Sequence, residues 1–360
     1  MTDITHLLVA LKINLADGLQ IFDASAVAKM HHPPINPDVQ AVVTHIPDAT
    51  VATALKQVLL NQYPADFDIT FLQADHNRLE TTLGEALPEN MAYPSDIYLP
   101  AYGGYASFEA FQEIIAHLRA PEGCPWDRKQ THLSLRKYLL EESYEVLEAL
   151  NEEDTDHLRE ELGDLLLQIL LHTQIATEAN HFRMVDVMRA INNKLIYRHP
   201  HVWGQTAVED ADQVVENWDA LKKKEHAKKG VRRESILDGV PKSASSLLQA
   251  YEYTAKAAKV GFDWDDISGV QAKIQEEMAE IAEANDDERE SEFGDLLFAL
   301  VNWARWLNIE PESALRMTNQ KFYRRFHYIE EQASLKETPL ENLDLQAMDA
   351  LWDEAKAKGL

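Results

Sequence analysis

The amino-acid sequence predicts a mainly α-helical protein, with two tandem all-helical domains preceded by a small α/β region. One set of motifs occurs twice in the same order beyond about residue 108. Apolar residues in that part recur at three and four positions, which is the helical period. Earlier in the chain, short apolar runs are separated by prolines. We therefore expect the α/β region at 1–105 and the helical domains at 106–230 and 231–360.

Three strands and one helix are predicted in the α/β region. The segments 40–46, 68–74 and 95–101 are rich in β-branched and aromatic residues, which favour strands. The segment 50–63 has helical spacing and lies between the first two strands, as a crossover helix would. The loops are marked by eight prolines between positions 33 and 100.

Composition limits the classes of function. The 360 residues include 34 Lys plus Arg and 61 Asp plus Glu, and the formal net charge of −27 argues against a nucleic-acid surface. No apolar run approaches the roughly 20 residues that span a bilayer, and the N-terminus lacks a signal-peptide pattern. We expect a cytoplasmic protein without membrane or nucleic-acid partners. Cys124 is the single cysteine, which excludes an internal disulfide and a thiolate metal cluster.

The two copies of the repeat carry the same residue types at a series of matched positions. Their offset changes along the chain, as loop-length differences between aligned helices would produce. The basic run 221–234 lacks an apolar face after Leu221 and is predicted mainly as a solvated linker between the copies. The matched positions are Glu141/Glu142/Glu145 with Glu276/Glu277/Glu280, Glu161/Asp164 with Glu292/Asp295, Lys194/Arg198 with Lys321/Arg325, and Trp218/Lys222 with Trp352/Lys356.

The acidic residues form pairs three positions apart, which places both carboxylates of a pair on one helix face. Such pairs are Glu142 with Glu145 and Glu161 with Asp164. A solvated acidic face is the common explanation. Against it, no Lys or Arg follows the EExxE glutamates at i+4, the second pair runs into an apolar segment, and the set occurs twice. Oxygen ligands without Cys or clustered His favour Mg²⁺ or Mn²⁺, so the sequence predicts a four-carboxylate cup in each copy.

Two kinds of residue pair that contain a cationic side chain accompany the acids. Lys194 and Arg198 are one helical turn apart, so they either belong to a generic basic stripe or bind phosphate oxygens. Trp218 precedes Lys222 by four residues and either packs in the fold or stacks on a base. The same alternatives apply to the matching residues of the second copy, Lys321, Arg325, Trp352 and Lys356.

The motifs EESYE…ELGD and EEMAE…EFGD, with GCPWD, RHPHVW, VGFDW and NQKFYRRF, closely resemble the MazG family of nucleoside triphosphate pyrophosphohydrolases. The resemblance covers about residues 108–360. It implies a helical homodimer that requires Mg²⁺, with Mn²⁺ as an alternative. It further implies hydrolysis of ribo- and deoxyribonucleoside triphosphates to monophosphate and pyrophosphate, in house-cleaning or regulation of the nucleotide pool. The segment 15–46 resembles the C-terminal part of a tetrapyrrole methylase domain, which implies a remnant without methyltransferase activity.

Carried over by position, the resemblance implies a role for each matched residue. The metal ligands would be Glu142, Glu145, Glu161 and Asp164 in the first copy and Glu277, Glu280, Glu292 and Asp295 in the second. Glu141 and Glu276 would support the metal shell or orient water, and the proton acceptor would be a glutamate of an EExxE helix. Phosphates and nucleotide would be contacted by Lys321, Arg325, Trp352 and Lys356, matched in the first copy by Lys194, Arg198, Trp218 and Lys222. Only eleven residues separate Glu280 from Glu292, against fifteen between Glu145 and Glu161, which predicts a tighter second hairpin.

Two other functions remain open at this stage. One is a narrower pyrophosphohydrolase acting on dUTP or a phosphoribosyl nucleotide, and the other is a regulatory protein that binds nucleotide or metal without turnover. Both copies are complete by residue type. The resemblance favours the second copy as the catalytic one, because hydrolysis is associated with the C-terminal domain in two-domain members.

Overall fold

The computed structural model describes residues 8, 9, 11, 13–73, 77–86, 92–228 and 235–360. Within these ranges the chain is mainly helical, with a five-stranded sheet near the N-terminus, as the sequence predicts. The chain divides into two compact units, Met1–Ile191 and Asn192–Leu360. No helix in the described ranges combines the length and the apolar character needed to cross a membrane.

The sheet lies in the first unit and has the strand order β1-β2-β5-β3-β4. β1 pairs with β2 in parallel, and the other described neighbours are antiparallel. Short helix α1 (Ala24–Val27) follows β1, and α2 (Ala49–Leu59) follows β2. The strands are β1 (Gln20–Asp23), β2 (Ala41–Ile46), β3 (Asp68–Leu72), β4 (Arg78–Thr82) and β5 (Ser95–Leu99).

The three predicted strands correspond to β2, β3 and β5, and the predicted helix to α2, although residue 74 of the second predicted strand lies outside the described residues. Apolar side chains such as Val43, Leu55 and Leu99 form the core between the sheet and α2. The edge strands β1 and β4 were not predicted. An edge strand buries little surface, and β4 is mostly polar without a buried side chain, so neither segment has the apolar pattern of an inner strand.

In the described part of the first unit, four further helices and about half of a fifth follow the sheet. Helices α5 and α6 form a hairpin whose loop contains Glu153, with a φ of 55°, and Asp154, whose carboxylate caps α6 by accepting the N–H groups of Asp156 and His157. A core that includes Ile115, Leu135 and Leu170 joins the hairpin to α3. The helices are α3 (Phe108–Arg119), α4 (Pro125–Lys129), α5 (Arg136–Glu152), α6 (Thr155–Glu178) and α7 (Met184–Arg198), which crosses the unit boundary.

The second unit contains a matching hairpin formed by α11 and α12. Helix α12 packs against α10, and α13 packs against α14. The basic run predicted as a linker is helical over 221–228, where it continues α9, and 229–234 lies outside the described residues. The helices are α8 (Pro200–Trp203), α9 (Ala211–Lys228), α10 (Ser246–Ala258), α11 (Ile267–Glu283), α12 (Arg289–Trp306), α13 (Pro311–Leu335) and α14 (Leu345–Ala357).

The two hairpins differ in the distance from the acids to the loop. The loop 284–288 of the second hairpin is longer than the loop 153–154 of the first. In the second hairpin the first helix ends at Glu283 and the next begins at Arg289, so Glu280 and Glu292 lie within one turn of the loop. The short spacing in sequence therefore reflects shorter helical arms and not a tighter connection.

Candidate metal and nucleotide site

The first acid cluster lies between α5 and α6 and consists of Glu142, Glu145 and Glu161. Helical spacing puts the first two on one face of α5, and the hairpin brings Glu161 of α6 against that face. One carboxylate oxygen from each residue lies within 4.8 Å of the others. Asp164 falls outside this group, although its charge still acts on Glu142. The structure thus brings together three of the four predicted ligands.

Burial makes two acids of the first acid cluster, Glu142 and Glu161, costly to ionise. Glu161 is 8% exposed; its Oε1 lies 3.1 Å from Nε2 of His157, while its Oε2 is buried without a hydrogen-bond partner. Burial, with a further contribution from Glu145, raises the pKa of Glu161. The pKa of Glu142 rises to about 7 because of burial first, then a hydrogen bond with Glu145 and the neighbouring negative charges. The amide of Gln168 donates to Glu142 at 3.3 Å.

The second acid cluster lies between α11 and α12 and consists of Glu277, Glu292 and Asp295, whose carboxylate oxygens also lie within 4.8 Å of one another. Glu277 is 3% exposed, and its Oε2 is buried without a partner. Here Glu280 is the predicted ligand that falls outside the group. Burial, followed by the charge of Glu277, raises the pKa of Glu280.

The second acid cluster is contacted by a lysine, Lys273, which was not predicted from the sequence. Nζ of Lys273 lies 2.6 Å from Oε1 of Glu277 and 2.9 Å from Oε1 of Glu276. Glu276, predicted to support the metal shell, is thus engaged with this lysine, while Glu141 is exposed on α5. The contact between Lys273 and Glu277 could have been predicted from the sequence, because Lys273 lies four residues before Glu277 and both side chains share one helix face.

Both clusters fit a divalent metal ion by the chemistry of their donors. Each contains a buried carboxylate oxygen without a partner, Oε2 of Glu161 and Oε2 of Glu277. An unpaired buried polar atom is costly, and a buried charge is more so, unless a cation or donor compensates it. The donors are all carboxylate oxygens, the ligands preferred by hard cations such as Mg²⁺ and Mn²⁺.

An arginine stacked on a tryptophan is repeated in the two copies. The guanidinium of Arg325 lies 5.4 Å from the ring centre of Trp352, and that of Arg198 lies 5.6 Å from Trp218. Trp352 also contacts Phe322, with ring centres 5.2 Å apart. The structure therefore brings together the predicted arginine and tryptophan of each copy, and the tryptophan is at least partly a packing residue.

The two arginines differ in their hydrogen-bond partners. Nη2 and Nε of Arg198 donate to Oε2 of Glu225 at 2.6 and 3.1 Å, in a largely buried ion pair. Nε of Arg325 donates to the main-chain oxygen of Leu360 at 2.7 Å. Over the described part of the second unit, no hydrogen bond, ion pair or ring contact joins Arg325 or Trp352 to the second acid cluster. The predicted lysines Lys194, Lys321 and Lys356 are exposed, and Lys222 is half-buried.

Helical hairpins that carry acid clusters define this chain as a helical protein with two groups of carboxylates that could hold a metal ion. A family model described as the MazG nucleotide pyrophosphohydrolase domain matches residues 130–203, the range that contains the first acid cluster. That match covers only part of the chain, and relatives that match over longer ranges carry the assignment further.

Three relatives match over long ranges. The uncharacterized protein YabN of Bacillus subtilis is 42% identical, over 96% of this chain and 72% of that protein. The nucleoside triphosphate pyrophosphohydrolase/pyrophosphatase MazG of Thermotoga maritima is 46% identical, over 69% of this chain and 95% of its own length. The nucleoside triphosphate pyrophosphohydrolase of Escherichia coli K12 is 40% identical, over 68% and 94%. The chain belongs to the MazG nucleotide pyrophosphohydrolase family.

Proposed function

We propose that this protein is a Mg²⁺-dependent nucleoside triphosphate pyrophosphohydrolase that converts ribo- and deoxyribonucleoside triphosphates into the monophosphate and pyrophosphate. The observation that carries the proposal is the second acid cluster, in which Glu277 has a buried carboxylate oxygen without a partner beside Glu292 and Asp295. Relatives with this activity in their names are 40–46% identical to the chain, which supports the same reaction here.

The metal would be bound by Glu277, Glu292 and Asp295, with Glu280 within electrostatic reach as the fourth acid. When bound, a divalent cation supplies positive charge that neutralises the triphosphate and stabilises the charge developing in the transition state. The acids of the first acid cluster, with Asp164, would bind a metal in the same way.

The chain's own residues would orient the attacking water and accept its proton. Glu280 is the strongest candidate for the proton acceptor, because it lies beside the second acid cluster but outside the three-residue ligand group, and burial raises its pKa. Water attacks a phosphorus of the α–β bridge, the bridging P–O bond breaks, and the two products are the monophosphate and pyrophosphate. Glu276 would help to orient the water, and Glu141 would do so in the first copy.

The nucleotide would be contacted by residues of α13 and α14. The guanidinium of Arg325 has donors beyond the Nε that bonds to Leu360, so it could bind phosphate oxygens as a fork. Exposed Lys321, one turn earlier, would add a second positive charge. Trp352 and Lys356 would contact the base and phosphates, while Lys194, Arg198, Trp218 and Lys222 occupy the matching places in the first copy.

Product analysis tests the proposed reaction. Incubated with a panel of nucleoside triphosphates and Mg²⁺, the protein is expected to release monophosphate and pyrophosphate in equal amounts, measured by anion-exchange chromatography. Diphosphate plus phosphate would place the cleavage at the wrong bond. Turnover of a single nucleotide such as dUTP would establish a narrower enzyme, and nucleotide binding without any turnover would contradict the proposal altogether.

We also propose that the protein is a homodimer. The helices that carry the acids expose large apolar side chains, including Met278 at 58% and Phe298 at 43%, and water-exposed apolar surface of this kind commonly marks an interface. Light scattering at micromolar concentration is expected to give twice the chain mass of 40.9 kDa. The variant Phe298→Asp should lower that mass. The matched variant Phe262→Asp, at an exposed apolar residue outside these helices, should not, and a monomeric wild-type mass would contradict the dimer.

A further inference from the structure

Lys273 neutralises the most deeply buried acid of the second acid cluster. Its ammonium lies 2.6 Å from Glu277, whose side chain is 4% exposed, and 2.9 Å from Glu276, whose side chain is 56% exposed. The contact with Glu277, followed by that with Glu276, raises the pKa of Lys273 above its usual value, so the amine stays charged. A buried carboxylate gains most from such a partner, because its own hydration has been lost.

The first copy has no lysine at the matching position. Tyr138 stands there, and its ring packs against Trp126 at 6.0 Å. The basic partner in the first acid cluster is His157, which contacts Glu161 and belongs to α6. The lysine is therefore a feature of the second copy and not a requirement of the hairpin fold.

The ammonium and a divalent cation would share one carboxylate. Lys273 contacts Oε1 of Glu277, and the buried oxygen without a partner, Oε2, belongs to the same carboxylate. A doubly charged ion bound at Oε2 would repel an ammonium on the other oxygen, and both would draw on the same negative charge. The attraction between Lys273 and Glu277 would weaken as the ion binds.

We propose that Lys273 competes with the divalent cation for Glu277, so that metal binding at the second acid cluster releases the lysine ammonium from this carboxylate. The inference rests on the proposed metal role of the cluster. The competition makes Lys273 a resident counter-charge that offsets part of the negative charge of the cluster without metal and sets a threshold for metal binding.

A substitution tests the competition. In Lys273→Met the methylene length is nearly kept and the charge is removed, so Mn²⁺ should bind the full-length chain about tenfold more tightly, measured as free Mn²⁺ by electron paramagnetic resonance without nucleotide. The metal-free variant should melt at a lower temperature than the wild type and gain more from Mn²⁺. The control Lys256→Met removes another i, i+4 pair, at 3.8 Å from Glu252 on α10, and should change neither the affinity nor the gain.

Chemical labelling tests the release in the unmodified chain, where folding of a variant is not at issue. Acetylation of Lys273, followed by mass spectrometry relative to Lys256, should increase when Mn²⁺ is added. An Mn²⁺ affinity of Lys273→Met equal to or weaker than that of the wild type overturns the competition, as does labelling that is unchanged or falls with Mn²⁺. Tighter Mn²⁺ binding without hydrolysis of any nucleotide would support the competition while refuting the proposed reaction, so the two failures are distinguishable.

Discussion

Replacing Asp295 with Asn is expected to reduce pyrophosphohydrolase turnover by about 10²-fold or more. The side chain keeps its shape but loses the negative charge that it contributes beside Glu277 and Glu292. Losing one group that stabilises charge in a preorganised site typically costs this much. The measurement is pyrophosphate release under saturating Mg²⁺ and nucleotide, with circular dichroism to establish that the variant is folded.

The matched control is Asp164→Asn in the first copy, for which we expect a much smaller loss. Asp295 belongs to its three-residue ligand group, whereas Asp164 lies outside the corresponding group. In addition, Arg198 forms a largely buried ion pair with Glu225, whereas Arg325 donates to the main-chain oxygen of Leu360. These two differences favour the second copy as the site of turnover. Equal losses would indicate two equivalent or coupled sites, and a larger loss for Asp164→Asn would reverse the assignment.

Chelation of divalent metal is expected to abolish hydrolysis and to destabilise the folded chain in a pH-dependent way. Without metal, the acid clusters repel a polyanionic substrate. Excess EDTA should therefore remove all pyrophosphate release, and added Mg²⁺ or Mn²⁺ should restore it. Undiminished hydrolysis in EDTA would contradict the metal role of both clusters.

The pH dependence follows from the raised pKa of Glu142. This group titrates near 7 in the folded chain against an ordinary value of 4.5, so the folded state binds its proton more tightly than the unfolded state. The resulting stability is complete below about pH 4.5 and is lost as the pH rises through about 7. Calorimetry in EDTA should give a lower melting temperature at pH 8 than at pH 5.5 from this contribution, and Mg²⁺ should raise it more at pH 8. Glu142→Gln should reduce this difference; an unchanged difference would assign it to other groups.

The candidate ligands were accessible to sequence reasoning because helical geometry is local. Residues three apart share a face wherever a helix forms, so the pairing of Glu142 with Glu145 follows from spacing alone. The choice of a hard divalent metal follows from residue types, since the clusters contain carboxylates and no thiolate. The inner strands and α2 were predictable for the same reason, because their apolar periodicity is written along a single segment.

The tertiary structure decided which carboxylates form each ligand group and which segments form edge strands, because both depend on residues far apart in the chain. Asp164 and Glu280 occupy the same motif positions as Asp295 and Glu145 in the other copy, yet they fall outside the ligand groups. Which carboxylates approach one another depends on how the two helices of each hairpin pack and where their loop lies. The edge strands β1 and β4 exist because inner strands offer them main-chain hydrogen bonds, which no local pattern records.

The sequence by itself thus determined the tandem helical repeat, the carboxylate chemistry and the family. The partners of those carboxylates were decided only in three dimensions. The contact of Lys273 with Glu277 could be predicted from their spacing, but the burial of Glu277, which strengthens this contact, could not. The Arg198–Glu225 pair spans two helices and had no signal in the sequence. Burial and charge pairing depend on which surfaces meet when the chain folds, and local spacing constrains this only weakly.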